Sequence, residues 1–299
     1  QTIGVLPAIE LRLESFQEHL LECIALERSR DRHRNLLVSA TGTGKTVMAA
    51  VDYARLRNTL NRSRLLFIAH RKEILAQSRA TFQYALRDAS FGELWVDGAR
   101  PEHYEHVFAS VQSLSRIDLS LLSPQHFDIV IVDEFHHAAA PTYGVLLAHL
   151  KPQELLGLTA TPERADGQSV TTWFDGRIAA ELRLWDAIDK QRLVPFAYYG
   201  IADSTDLRNV PWRRGRGYDA NALSQLLTAD DAWARMVIDQ LVRRVDCINE
   251  IRAFGFCVSV SHAQFMARVF NEHGIASVSV SGETSHEDRV NTLRQLTNR

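Results

Sequence analysis

Apolar positions along this chain fall into two alternating kinds of run. Some are short and continuous: Asn35 to Ala40, Leu65 to Ala69, Val107 to Ala109, Phe127 to Val132 and Leu155 to Leu158. Runs of that length without polar alternation are what strands buried on both faces require. Between them apolar residues recur at helical spacing. Leu13, Phe16, Leu20, Leu21 and Ile24 form one stripe, Val47, Ala50, Val51 and Ala54 a second, and Lys72 to Leu86 carries a third. Ser15 and Glu18 stand in capping-box spacing at the start of the first helix. Strands alternating with helices predict an α/β fold built on a parallel sheet.

After Pro162 the pattern changes. "WFDGRIAAELRLWDAIDKQRLVPFAYYG" predicts a short strand, a helix and another strand leading away from the first domain. "RNVPWRRGRGYDA" then gathers proline, glycine and arginine and reads as a linker. There Trp212, Arg213, Arg214, Arg216 and Tyr218 either grip a nucleic-acid strand by charge and stacking or form a mobile basic connection. A second domain opens with a helix from Asp230, and its strand candidates are Phe254 to Val260 and Ala276 to Val280. The expected organisation is a first domain over 1–200, a linker over 201–230 and a second domain over 231–299.

Composition narrows this only slightly. The 299 residues are 45% apolar and 23% charged, enough for two ordinary cores. Lys and Arg number 34 against 36 Asp and Glu, so any nucleic-acid binding must use a local groove rather than a global positive field. Cys23, Cys247 and Cys257 form no C-x-x-C pair, which argues against a disulfide framework or a cysteine-rich zinc site and fits a reducing, cytoplasmic setting. No apolar run reaches the length of a membrane span. The chain lacks an initiator Met and is expected to be a piece of something longer. The arginines of "ERSRDRHRN" (Arg28, Arg30, Arg32, Arg34) read as a solvated connection. His103, His106, His136 and His137 do not converge in sequence as zinc ligands would.

Three strand ends carry chemistry. "SATGTGKT" follows the first strand and opens a helix, the context in which backbone N–H groups cradle phosphates. Gly42 and Gly44 permit tight curvature, Lys45 offers a charge to the β and γ phosphates, and Thr46 offers a hydroxyl to Mg²⁺. Ser39 stands where the strict pattern has glycine. "FDIVIVDEFHH" ends a buried strand in two acids. Asp133 is suited to hold Mg²⁺ through water, and Glu134 to deprotonate the water that attacks a γ-phosphate. "LLGLTATP" places the hydroxyls of Thr159 and Thr161 at a third strand end, where they either bond to the acidic loop or form an ordinary threonine turn. His70, Arg71 and Lys72 follow a strand and open a helix, so they can meet a nucleic-acid phosphate.

Taken in order, "SATGTGKT", "FIAHRKEILAQ", "ASVQSL", "VDEFHH" and "LGLTATP" resemble motifs I, Ia, Ib, II and III of superfamily 2 helicases of the DExH kind. "GFCVSVSHAQFMARVF" and "VSVSGETSHEDRVNTLRQL" resemble motif IV and the stretch after it. The likeness is to bacterial cores related to restriction-enzyme motor subunits, some joined to a phospholipase D-type nuclease. It implies two RecA-like parallel-sheet lobes, the second incomplete. It further implies ATP and Mg²⁺ as cofactors, held by Thr41, Gly42, Thr43, Gly44, Lys45 and Thr46, with Asp133 on the metal, Glu134 as base and His136 linking to Thr159 and Thr161. Gln17, in "LESFQE", would read adenine, although Glu14 stands where many members have Arg. His70, Arg71, Lys72, Ser110 and Gln112 would contact nucleic acid, DNA rather than RNA. The partners implied are nucleic acid and further domains of the same protein, a nuclease among them, with no membrane. Motif V and the Q-x-x-G-R-x-x-R of motif VI do not occur, so this chain by itself is expected to hydrolyse ATP very weakly or not at all. Two functions are consistent with these residues: an ATP-driven nucleic-acid motor, and an ATP-gated clamp or assembly module that separates no strands.

Overall fold

A computed structural model describes residues 11–139, 141–163, 169–203, 205–213, 217–248 and 250–297. The chain divides into two compact units, Gln1–Tyr198 and Tyr199–Arg299. The first unit runs α1 (Ser15–Ser29), β1 (Arg34–Ser39), α2 (Lys45–Leu56), β2 (Leu65–Ala69), α3 (Lys72–Leu86), β3 (Glu93–Trp95), β4 (His106–Ser110), α4 (Val111–Leu114), β5 (Ile129–Val132), α5 (Pro141–His149), β6 (Glu154–Thr159), β7 (Ala180–Leu182) and α6 (Leu184–Asp189). Its seven strands form one sheet in the order β3-β4-β2-β5-β6-β1-β7. Every neighbouring pair is parallel. The carboxyl ends of β1, β6, β5, β2 and β4 therefore open onto one edge, where ligands bind in such sheets.

The continuous apolar runs are explained by cover on both faces. Leu36, Val38, Leu66, Ile68, Val130 and Val132 pack on one side with Leu114, Tyr143, Leu146 and Leu147. Leu37, Phe67, Ile129, Ile131, Leu156 and Leu158 pack on the other with Leu20, Leu21 and Ile24 of α1, Met48 and Tyr53 of α2, and Leu75 and Phe82 of α3. Each such side chain taken out of water contributes roughly 1.5–3 kcal/mol. One position on β6 must stay bare. A Cβ at Gly157 would sit 2.4 Å from Phe174 and 2.9 Å from Phe135, two rings that meet edge to face at 4.7 Å.

Two expectations for α1 are corrected. The helix is capped one residue earlier than the Ser15–Glu18 spacing suggests. Glu14 is the N-cap, and its backbone N–H donates to Gln17 Oε1 at 2.9 Å. Arg28 is not a solvated arginine. Its guanidinium forks onto Asp52 of α2 at 2.6 and 2.7 Å and reaches Glu154 of β6 at 2.8 Å, and His33 Nδ1 closes on the same Glu154 at 2.6 Å. These ion pairs tie α1, α2 and β6 together beneath the sheet's amino ends. Beyond α6, residues 190–198 form no strand.

The second unit contains a short antiparallel hairpin, β8 (Trp212–Arg213) with β9 (Gly217–Tyr218), and four helices, α7 (Ala220–Leu227), α8 (Ala232–Val242), α9 (Val260–Glu272) and α10 (His286–Thr297), among the described residues. Its core is small: Ala234, Ile238 and Val269, backed by Phe265, Met266, Phe270 and Ile275. The strand candidates Phe254 to Val260 and Ala276 to Val280 do not form strands. Val260 begins α9, and Phe254, Phe256, Val278 and Val280 are exposed. Their β-rich composition favours an extended chain, but a parallel strand exists only with neighbours to bond to, and among the described residues none pairs there. Arg214 and Arg216 lie outside the described residues. Among those described, no helix is long and apolar enough to cross a membrane.

Candidate functional site

The turn after β1 owes its shape to two glycines in the left-handed region, Gly42 (φ 90°) and Gly44 (φ 82°). Ser39 is fully buried, and its hydroxyl lies 2.6 Å from Thr43 Oγ1, which in turn donates to the Ala40 carbonyl at 2.6 Å. A serine is thus accommodated where the strict pattern has glycine, because it braces the loop instead of bending it. Lys45 Nζ folds back to the Ser39 carbonyl at 3.0 Å. Burial lowers its pKa, with Glu134 and Asp133 opposing that shift. Thr46 is the second residue of α2, and Thr41 and Gly42 are exposed at the loop's tip. Gln17 Nε2 donates to the Thr43 carbonyl at 2.9 Å, and a Cβ at Gly44 would come within 2.7 Å of that nitrogen. The glutamine of α1 is therefore brought onto the loop with both ends of its amide engaged.

The acids after β5 sit two strands away in the sheet, with β6 between them and β1. Asp133 is 6% exposed, and its backbone N–H donates to Ile68 O at 2.9 Å. Burial raises its pKa, opposed by the hydrogen bond from the Glu134 N–H and by Lys45, while the Glu134 charge adds to the rise. Glu134 adopts φ 49°. A left-handed glutamate carries a strain of about 1–3 kcal/mol, maintained here by the buried ring of Phe135 next to it and by the bond from Glu134 N–H to Asp133 Oδ1 at 2.9 Å. His136 Nδ1 lies 3.3 Å from Glu134 Oε2 and 3.2 Å from Thr159 Oγ1. Thr159 gives its own hydroxyl proton to the Thr161 carbonyl and accepts from the Thr161 N–H. The proton in the His136–Thr159 contact belongs to His136 Nδ1, so the ring donates to Thr159 and lies beside the carboxylate. Burial keeps His136 below its ordinary pKa, hence neutral.

Further along the same edge, His70 follows β2, Arg71 is the N-cap of α3 and Lys72 begins it. Arg71 Nε donates to His70 Nε2 at 3.2 Å, and Lys72 pairs with Asp97 at 3.2 Å. Ser110 is 4% exposed and its hydroxyl caps α4 by accepting from the Ser113 N–H at 3.1 Å, so it is spent locally. Gln112, by contrast, faces a cleft of about 270 Å³ shared with His70, Ser115, Thr142 and Tyr143. In the second unit, Trp212 and Tyr218 stand directly opposite across the β8–β9 hairpin, both exposed. Sequence reasoning did not single out Phe135, Gly157 or Tyr143, and it considered His137 only as a zinc ligand. Among the described residues no three His, Cys, Asp or Glu gather as a metal would require.

Residues 10–164, more than half of the chain, match the family model described as the res subunit of Type III restriction enzymes. The chain belongs to this family. It is a superfamily 2 helicase core of the DExH kind, and the matched segment of this res-type chain runs from α1 through the threonine loop after β6. A Schizosaccharomyces pombe protein, irc3, provisionally named a mitochondrial ATP-dependent helicase, is 26% identical over 296 residues, which is 96% of this chain and 47% of irc3. The EcoAI endonuclease subunit of an Escherichia coli Type I restriction enzyme is 28% identical over 263 residues, 80% of this chain and 32% of that protein. The res-type chain spans about half the length of the first of these relatives and less of the second. The solved structure of LlaBIII, an ATP-dependent Type ISP restriction-modification enzyme bound to DNA, superposes over 97% of this chain and 24% of that one with a TM-score of 0.63 at 15% identity. At that identity the likeness establishes a shared fold.

Proposed function

We propose that this res-type chain is the core of an ATP-driven nucleic-acid motor, acting on DNA. What carries the reading is the convergence, at neighbouring strand ends, of a turn of phosphate-loop shape, an Asp–Glu pair with Asp133 buried, and a histidine hydrogen-bonded to the threonine loop with its ring nitrogen 3.3 Å from the glutamate. The residues fit the groups they would hold. The loop is curved by Gly42 and Gly44, whose positive φ a side chain would strain, and Lys45 rests on a carbonyl that a phosphate oxygen would displace. Asp133 and Thr46 form an all-oxygen donor set suited to Mg²⁺. When bound, that ion would neutralise charge on the β and γ phosphates.

Glu134 would accept a proton from the water that attacks the γ-phosphorus, as the bond to the β–γ bridging oxygen breaks and ADP leaves. His136, whose Nδ1 lies 3.3 Å from the Glu134 carboxylate, would help to orient that base. Through Thr159 it also ties the base to the loop after β6. Gln17 holds the loop at Thr43 and stands where an adenine contact would be made. His70, Arg71, Lys72 and Gln112 present the face along which a strand would run.

The test is ATP hydrolysis by the intact protein with single-stranded DNA, duplex DNA and RNA, followed by strand displacement beside filter binding. DNA-stimulated hydrolysis is the expected result, and ATP-dependent retention of DNA with no turnover would favour a clamp instead. No Q-x-x-G-R-x-x-R stretch occurs in these 299 residues. Arginines reaching the γ-phosphate are worth about 10³–10⁵ in rate in related enzymes, so this chain alone is expected to turn ATP over negligibly.

A further inference from the structure

We propose that His137 is a positioning residue that couples a nucleic-acid strand lodged beside His70 to the carboxylate of Glu134. The inference rests on the motor reading above. β2 and β5 are paired in parallel, with Ile68 beside Val132, so the segments that leave them emerge side by side. His70 from the first and His137 from the second meet edge to face at 4.7 Å. His137 in turn lies 4.1 Å from His136, ring centre to ring centre, and His136 Nδ1 is 3.3 Å from Glu134 Oε2. Three imidazoles thus make an unbroken contact from the cleft to the hydrolytic carboxylate.

The cleft itself lacks an occupant that its donors require. His70 Nε2 accepts from Arg71, so the neutral ring carries its proton on Nδ1, and that nitrogen is buried with no hydrogen-bond partner among the described residues. The Tyr143 hydroxyl, on a side chain 2% exposed, is buried and without a partner in the same way. Both line the cleft of about 270 Å³ that Gln112 and Ser115 also face. Burial pulls the His70 pKa down, so the site gathers neutral donors rather than cations. A phosphodiester is acceptor-only and narrow, the chemistry that unpartnered donors lining one cleft would accept. Once its Nδ1–H is held by the strand, His70 can no longer move independently of His137, and His137 cannot shift without moving His136 and the orientation of Glu134.

The experiment uses the intact protein, a single-stranded oligonucleotide, and the variants His137→Ala, His137→Phe and Tyr143→Phe. Hydrolysis is measured with and without the oligonucleotide, and oligonucleotide affinity separately by fluorescence anisotropy. His137 also lines the cleft, so the comparison is made at saturating oligonucleotide: His137→Ala should keep the KM for ATP and the unstimulated rate, while losing about tenfold of the DNA-stimulated kcat. His137→Phe, which preserves ring packing, should retain most of the stimulation. Tyr143→Phe should raise the DNA concentration needed for half-maximal stimulation. Full stimulation of His137→Ala overturns the proposal, and so does a His137→Phe as defective as the alanine variant, because packing would then not be the carrier. Loss of the unstimulated rate in both His137 variants also overturns it, by making the residue part of hydrolysis itself. An unchanged Tyr143→Phe removes the cleft as the strand's seat. A wild type that hydrolyses no ATP under any condition sinks the motor reading first, and the coupling with it.

Discussion

In the proposed mechanism Glu134 is the base, and its local circumstances suit that role better than a metal ligand's. The left-handed backbone sets its carboxylate beside His136 Nδ1, whereas Asp133 is held deeper in the sheet edge by its bond to Ile68 O. Glu134→Gln preserves shape and the contact to His136 while removing basicity. It is expected to keep ATP affinity and to lose at least about 10²-fold of turnover, as general-base removal does. Calorimetric titration with ATP beside a phosphate-release assay checks this, and turnover near wild type would assign the base elsewhere. Most of this was readable from residue order, because two acids ending a continuous apolar run can only emerge at the carboxyl edge of a buried strand. The engagement of Gln17 with Thr43 was not readable, since 26 residues separate them and only the packing of α1 against the sheet brings them together.

At the scale of elements, α1, α2 and β6 are joined by charges rather than by apolar contact alone. Asp52 and Glu154 are each 3% exposed and share Arg28, so removing that arginine would leave buried carboxylates unpaired at a cost of about 3–5 kcal/mol. His33 extends the network. Its hydrogen bond to Glu154 raises its pKa above the ordinary value of 6.5, with Asp31 adding in the same direction and partial burial opposing. A histidine whose folded pKa is raised contributes stability that is fully present below its unfolded pKa and is lost as pH rises through the folded one. The melting temperature of wild type relative to His33→Ala should therefore be most favourable below pH 6.5 and converge at alkaline pH. A difference that stays constant from acid to alkaline pH would mean that His33 contributes packing and not charge. The arginine run that supplies this network looked like a solvated connection because a sequence pattern records polarity and not partners. Both of Arg28's carboxylates come from distant segments.

Across the whole molecule the two units differ in how their backbones are satisfied. The first has a seven-stranded parallel sheet with apolar cover on both faces. In the second, residues 251–259 and 275–281 lack strand pairing, with Phe254, Phe256 and Val278 more than half exposed. Segments without ladder bonds or burial open at little cost. Limited proteolysis of this chain should cut within 251–259 or 275–281 while the first unit survives intact, as read by mass spectrometry of the fragments. Early cleavage within β1, β2, β5 or β6 would contradict that ranking.

Hydrophobic periodicity by itself determined the alternation of strands and helices in the first unit, though not β3, α4 or α5. Strand and helix limits at Leu65–Ala69, Lys45–Leu56 and Lys72–Leu86 follow from where apolar spacing starts and stops. It also determined the phosphate loop and the acidic strand end, because the chemistry is written in adjacent residues. Tertiary structure decided the rest. Strand order placed β2 against β5, and so His70 against His137, a contact that no local spacing encodes. Pairing also decided whether β-rich segments become strands, since Leu65–Ala69 has neighbours on both sides and Phe254 to Val260 has none among the described residues. The physical reason is common to both cases: a helix satisfies its hydrogen bonds within a few residues, whereas a strand, a cleft and a charge network depend on partners that only the folded chain brings near.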